Sequence, residues 1–231
     1  MSELVLLADG RMELLGLIRR SSNSAMLVEV SLGDDSARAI YKPQQGERPL
    51  IDFRRGLHRR ERAAYLLSRS LGWGIVPPTV VREDGPFGVG SLQLFVEHDP
   101  LAHYFTLYDG VPGSHGALRR IALFDVVANN ADRKGGHVLR GADGRVWGID
   151  HGLCFAARPK LRTVVWDFAG EAVPEALLQD LAPLADAVPG ELAELLDARE
   201  VAALQERVRR LLDEPVLPVD DTGCRTPWPL L

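Results

Sequence analysis

Cysteine is scarce. Cys154 and Cys224 are the only two in 231 residues, which excludes a disulfide framework and the paired spacing of a metal knuckle. Both are read as structural, and a reducing cytoplasm is the expected compartment. Long apolar runs are also missing. None approaches the roughly 18 apolar residues of a membrane span, and the opening MSELVLLADGRMELL carries acids early, so no secretory signal is expected there. Positive charge is not in surplus either. A net charge of −5 gives no overall attraction for nucleic acid or an anionic membrane, so neither is an expected partner. No internal repeat or low-complexity block is present. The remaining composition, 46% hydrophobic and 26% charged, is that of an ordinary soluble globular protein. The length suits one compact domain with two lobes or two small domains.

Hydrophobic periodicity and turn residues divide the chain. Residues 3–18 read as a short helix or strand broken at Asp9-Gly10. Ala25–Leu32 and Ala37–Lys42 read as strands around Gly33-Asp34-Asp35, and Pro43 is expected to end the pairing and open a loop through residue 58. Arg59–Leu71 places Ala63, Ala64, Leu67 and Leu71 on one helical face. Val76–Val81 and Gly90–Val96 are extended, separated by Asp84-Gly85-Pro86. Leu118–Asn129 reads as a buried helix, Val138–Leu139 and Val146–Ile149 as a hairpin around Asp143-Gly144, and Pro174–Leu184 and Gly190–Leu212 as two further helices. The fold class is therefore α+β and bilobal. Residues 1–97 form an N-lobe with a small antiparallel sheet and one helix, residues 98–214 a mainly helical C-lobe, and residues 215–231 a proline-rich tail.

Two polar stretches sit against apolar elements: Asn129–His137 and, a short hairpin later, Gly148–Gly152. Charge in such a place is costly unless it binds something. Asp132 lies in a polar loop between a buried helix and a buried hairpin, and reads as a base; a turn aspartate is the alternative. Asp150 ends the apolar run Val146–Ile149, where a divalent metal would satisfy its carboxylate. Lys42 ends the apolar strand Ala39–Tyr41. It is either a strand-end lysine with its stem along apolar surface or a point charge for nucleotide phosphates. Glu61, at the start of the next helix, is either a solvated acid at a helix N-terminus or the partner that holds Lys42 extended. His137 stands five residues after Asp132, where kinase sites place a metal-binding Asn. Imidazole suits Mn²⁺ or Zn²⁺ better than Mg²⁺, so either the metal preference is altered or His137 contacts phosphate. Arg133 and Lys134 are candidates to offset charge developing in phosphoryl transfer. The run Arg54, Arg55, His58, Arg59, Arg60, Arg62 is a solvated face or an anion site at a cleft mouth. Lys160 and Arg162 are an exposed loop pair or contacts for an acidic or phosphorylated substrate.

In order along the chain, Ala39-Ile40-Tyr41-Lys42-Pro43, Glu61…Ala64-Tyr65-Leu66-Leu67, Ile75–Thr79, Asn130-x-Asp132-Arg133 and Ile149–Phe155 resemble the phosphatidylinositol 3/4-kinase-like superfamily. The likeness is nearest to type II phosphatidylinositol 4-kinases and, beyond them, HipA-like kinases and an actinobacterial PI3/PI4-kinase-like family. It spans roughly residues 15–170. The resemblance implies ATP with Mg²⁺ or Mn²⁺, Lys42 on the ATP phosphates with Glu61 in support, and Gln93–Glu97, including Phe95 and Val96, as a hinge beside adenine. It also implies Asp132 as catalytic aspartate, Asp150 as metal ligand, and the Ser21–Ser24 turn, with Ser22 and Ser24, in place of a glycine-rich loop. The expected activity is phosphoryl transfer from ATP to a hydroxyl of a protein, this one included, or of a small soluble acceptor. A nucleotide-binding regulator without transfer and a phosphoinositide kinase are the alternatives.

Overall fold

The computed structural model describes residues 1–18 and 24–231. Five strands, β1 (Arg11–Leu17), β2 (Met26–Leu32), β3 (Asp35–Pro43), β4 (Thr79–Gly85) and β5 (Gly88–Leu94), form an antiparallel sheet in the order β1-β2-β3-β5-β4. The alternation in β2 and β3 decides the faces. Met26, Val28, Val30, Ala39 and Tyr41 point into a small core that Leu6 and Leu7 of helix α1 (Glu3–Asp9) close. Ile40 and Lys42 therefore point to the opposite face.

Helix α2 (Leu57–Ser70) follows, and its Ala63, Ala64, Leu66 and Leu67 belong to a second, larger core. That core also takes α3 (Tyr104–Gly110), α4 (His115–Ala128), the hairpin β6 (Val138–Arg140) and β7 (Val146–Gly148), α5 (Glu175–Asp186), α6 (Gly190–Ala193) and α7 (Ala198–Asp213). The result is a bilobal α/β fold with seven α-helices among the described residues.

Several boundaries differ from the sequence reading. The sheet lobe carries α1 as well as α2. Pro43 does not start the loop: it ends β3 opposite Gly90, where a Cβ would lie 2.5 Å from the Lys42 carbonyl oxygen. Helix α2 begins two residues earlier than expected because the Glu47 carboxylate caps it, accepting from the amides of Gly56 (2.8 Å), Leu57 (2.7 Å) and His58 (3.4 Å). The helix expected over 190–212 is two helices. Asp197 accepts from the amides of Arg199 and Glu200 while Glu200 reaches back to the Asp197 amide, a capping box that starts α7 afresh. Helix α3, two turns rich in aromatics, lacked a clear apolar period and was not expected. The tail runs irregularly over the helical lobe, with the amides of Val173, Thr163 and Gly135 donating to the carbonyls of Pro215, Arg225 and Leu230.

Candidate active site

Strand β3 delivers Lys42 to the face away from the small core, and α2 delivers Glu61 from the helical side. The ammonium lies 2.5 Å from Glu61 Oε1 and 2.8 Å from Asp150 Oδ1. Glu61 Oε2 accepts from the amide of His151 at 3.0 Å, so one carboxylate fixes both Lys42 and the turn after Asp150. Asp150 has φ 59°, a left-handed backbone that a non-glycine residue seldom adopts and that is typical of functional turns. Its Oδ2 lies 3.3 Å from His137 Nε2. The result is a continuous polar chain, Glu61–Lys42–Asp150–His137, at the floor of a cleft.

Charge states follow from that chain. Burial works against the charge on Lys42, but Asp150 and Glu61 outweigh it and raise its pKa, so it is an ammonium. Burial likewise opposes ionisation of Asp150, yet Lys42 and then His137 hold its carboxyl well below the usual range. Burial pushes His137 down to about 4, which leaves a neutral imidazole at pH 7. Its Nδ1 is 3.0 Å from the Asp132 carbonyl and 3.3 Å from the Lys134 amide. If Nδ1–H donates to that carbonyl, the Nε2 lone pair and a carboxylate oxygen face one another across 3.3 Å, a pair of acceptors that a cation would satisfy. Among the described residues no set of three His, Cys, Asp or Glu side chains converges. In that tautomer the pair fits a divalent ion that completes its shell with phosphate oxygens and water; in the other, Nδ1 accepts from the Lys134 amide and Nε2–H donates to Asp150.

Asp132 lies opposite. Burial raises its pKa, Lys134 counters, and Asp150 adds to the rise. Lys134 Nζ is 3.5 Å from its Oδ2. Its loop is laced from below. Asn129, left-handed at φ 51°, donates to the carbonyls of Ala156 and Arg158 and accepts from the Lys160 amide. Asn130 donates to Asp125 and accepts from the Asp132 amide.

Arg133 corrects the sequence reading. Its side chain has no exposure. It donates to both oxygens of the buried Asp125, to the carbonyls of His137 and Ile149, and, through Nη2, to His151 Nε2 at 2.7 Å. It points away from the cleft and clamps the backbone on either side of the site; it is not placed to offset charge on a substrate. Lys134, which lines the cleft, is.

Above this floor the cleft encloses about 320 Å³, with Ala25 and Ile40 on the sheet side, Leu139 and Ile149 on the other, and Gln93, Phe95 and Val96 along its back. Gln93 is anchored by its amide to Thr79 Oγ1 at 2.9 Å, and the Phe95 ring lies 5.0 Å below the Arg38 guanidinium. Ser24 is exposed with φ 42° beside Ala25, and Ser22 lies outside the described residues. Lys160 pairs with Asp52 at 2.8 Å, and Arg162 is exposed on the segment hydrogen-bonded to the Asp132 loop. The site therefore brings together Lys42, Glu61, Asp132, Lys134, His137 and Asp150. Two contributors were missed in the sequence. Asp125 had a signal, a charge inside the apolar run Leu123-Phe124-Asp125-Val126-Val127; the capping role of Glu47 had none. His151, which flanks Asp150, is the buried, hydrogen-bonded structural histidine expected of a lone histidine there.

The chain matches no protein-family model. Among solved structures it is similar to the golgi casein kinase, at a TM-score of 0.54 and 15% identity over 91% of this chain and 74% of that one. It is also similar to the Helicobacter pylori proinflammatory kinase CtkA, at 0.51 and 11% over 91% and 94%, and to hydra Fam20, at 0.53 and 14% over 90% and 86%. At these identities the likeness establishes an atypical-kinase fold and nothing finer. In sequence it is 46% identical to Protein Rv2133c of Mycobacterium tuberculosis over 264 aligned positions, covering 98% of this chain and 95% of that protein. The chain therefore belongs to the family of the Mycobacterium tuberculosis protein Rv2133c.

Proposed function

We propose that this protein is an ATP- and divalent-metal-dependent phosphotransferase of the PI3/PI4-kinase-like type, acting on a hydroxyl of a protein or small soluble acceptor. One observation carries the reading: Lys42 bridges Glu61 and Asp150 at the floor of an apolar-walled cleft, with Asp132 facing the same space. A fold likeness to the golgi casein kinase, also solved with Mn and ADP bound, is consistent with it. Ala25 and Ile40 on one side and Leu139 and Ile149 on the other, with Gln93, Phe95 and Val96 behind them, would take the adenine ring, and Ser24 stands beside Ala25. Residues 1–97 thus hold most of the nucleotide and residues 98–214 the reacting groups, with 215–231 as a strap.

Lys42 holds the phosphates as a fixed ammonium, and Glu61 keeps it extended. Asp150 and His137 would hold Mg²⁺ or Mn²⁺, which would supply positive charge for the phosphoryl transfer. Asp132 accepts the proton of the acceptor hydroxyl as that oxygen bonds to the terminal phosphorus and the bond to the ADP oxygen breaks. Lys134 offsets charge on the transferred group, and Lys160 and Arg162 lie on the acceptor side. The test is transfer of label from γ-labelled ATP to protein acceptors with Mn²⁺ or Mg²⁺, comparing wild type with Asp150→Ala. Labelling that survives Asp150→Ala would sink the assignment.

A second reading, a nucleotide-binding regulator without transfer, is favoured by His137 at the position of the usual amide and by the direct Lys42–Asp150 ion pair. Thermal stabilisation by ATP and metal with neither transfer nor hydrolysis would select it.

A further inference from the structure

The acceptor side of the catalytic loop is built from cations. The segment 157–164 runs beside that loop: the amides of Lys160, Arg162 and Val164 donate to Asn129 Oδ1 and to the carbonyls of Asn130 and Arg133. The Arg133–Thr163 pairing is parallel, so Arg162 lies alongside Asp132. From the other side the loop after Glu47 reaches the same segment, where Asp52 meets Lys160 at 2.8 Å and Phe53 lies under the Lys160 ammonium. Arg158 and Arg162 are exposed on this segment, and Lys160 first and then Arg162 and Arg158 hold the Asp52 carboxyl below its usual range. Arg54 and Arg55 are exposed on the loop after Glu47. Within the described residues Arg54, Arg55, Arg158 and Arg162 have no carboxylate at ion-pair distance. Four guanidinium groups without a carboxylate partner, on two segments joined by the Lys160–Asp52 pair, set up a local positive field that attracts anions although the chain as a whole carries −5.

We infer that this face is the acceptor site and that it takes an acidic polypeptide segment carrying a serine or threonine. The inference rests on the phosphotransferase reading for the fate of the hydroxyl, but not for binding. Cations beside Asp132 must recognise anions carried by the same molecule as the reacting hydroxyl, within a few residues of it. The space that Asp132 lines shares Glu47 and Leu57 with the hollow of the 47–57 loop, which gives an extended segment a continuous path from that loop to Asp132. The alternative, an anionic membrane, has only Leu50 and Ile51 as exposed apolar residues on the loop, too little apolar area to anchor it.

The test measures binding of two fluorescent peptides to the full chain by anisotropy: a serine flanked by glutamates and the same peptide with glutamines. The acidic peptide binds at least tenfold tighter, with an affinity that falls as salt rises. In Arg158→Glu/Arg162→Glu the preference reverses toward a peptide with lysines in place of the glutamates, an outcome that simple misfolding cannot give. Equal binding of the acidic and neutral peptides to wild type overturns the inference. So does sedimentation with phosphatidylserine vesicles without any peptide preference. A clear acidic preference with no phosphoryl transfer from ATP and Mn²⁺ supports the site and rejects the phosphotransferase reading instead.

Discussion

Arg133 and Asp125 form an ion pair in which neither side chain has any solvent exposure, with Arg133 Nη2 at 2.9 Å from Asp125 Oδ1. The pair joins α4 to the loop bearing Asp132. Because Arg133 also donates to the carbonyls of His137 and Ile149, it sets the backbone that presents His137 and Asp150. Asn130 and Thr163 add hydrogen bonds to the same carboxylate. The active-site loops thus rest on one buried charge pair, although neither of its members faces the cleft.

Removing one partner of that pair leaves the other as an uncompensated buried charge. Asp125→Ala is expected to cost about 3–5 kcal/mol of unfolding free energy. Asp125→Leu combined with Arg133→Met is expected to cost clearly less than the sum of the two single changes. Urea denaturation of the four proteins measures the coupling. Additive losses would mean that the pair acts as two independent groups.

The same pair shows what the sequence could and could not reveal. The strands β2 and β3, helices α2 and α4 and the hairpin after residue 137 were legible because burial imposes a period of 2 or 3.6 on their apolar residues. Lys42, Glu61, Asp132, His137 and Asp150 were legible because each is a polar residue at the edge of such an element. Arg133 was misread for a simple reason. Its neighbours Asp132 and Lys134 face the cleft, and nothing in the one-dimensional order says that the side chain between them turns inward toward a residue eight positions earlier. Glu47 was invisible because its carboxylate acts ten residues away, across a loop of no regular period. The break before α7 had a signal, the Asp197…Glu200 capping box, masked by the apolar residues that continue on either side.

Asp132→Asn tests the base. The amide keeps the size of the carboxylate and can still accept a hydrogen bond from the acceptor hydroxyl, but it cannot take up the proton. Turnover is expected to fall by about 10²–10⁴-fold, while ATP still stabilises the protein in a thermal-shift titration. Near wild-type turnover would remove Asp132 from the chemistry.

Glu47 couples acid stability to the placement of Glu61. Burial opposes ionisation of Glu47, but the His58 imidazole, 3.6 Å away, and the three amides at the start of α2 outweigh it and lower its pKa below the ordinary 4.5. Above that value the carboxylate is charged in both folded and unfolded chains, and the stabilisation is fully present. As pH falls below 4.5 the unfolded chain takes up the proton first, so this contribution is lost on the acid side. Glu47→Gln is expected to lower stability at pH 7 by about 1 kcal/mol, the usual worth of a helix cap, and to flatten the decline between pH 5 and pH 3. Chemical denaturation across that range gives both quantities. An unchanged acid limb would show that the carboxylate charge contributes nothing.

The proposed metal pair makes the choice of ion depend on His137. Its imidazole is neutral at pH 7 and stands 3.3 Å from Asp150, so an ion held by the two has one nitrogen and one carboxylate ligand from the protein. Nitrogen donors favour Mn²⁺ over Mg²⁺, whose small hard ion prefers oxygen throughout. Wild-type protein is therefore expected to work better with Mn²⁺. His137→Asn, which supplies an amide oxygen instead, is expected to move the Mn²⁺-to-Mg²⁺ ratio of nucleotide affinity toward Mg²⁺ by about tenfold, the scale of effects around a metal ligand. Electron paramagnetic resonance of the Mn²⁺–nucleotide complex gives a readout independent of turnover. Coupling to a protein nitrogen should be present in wild type and absent in His137→Asn. If wild type lacks the coupling, His137 does not ligate the ion, and its lone pair faces phosphate or solvent instead.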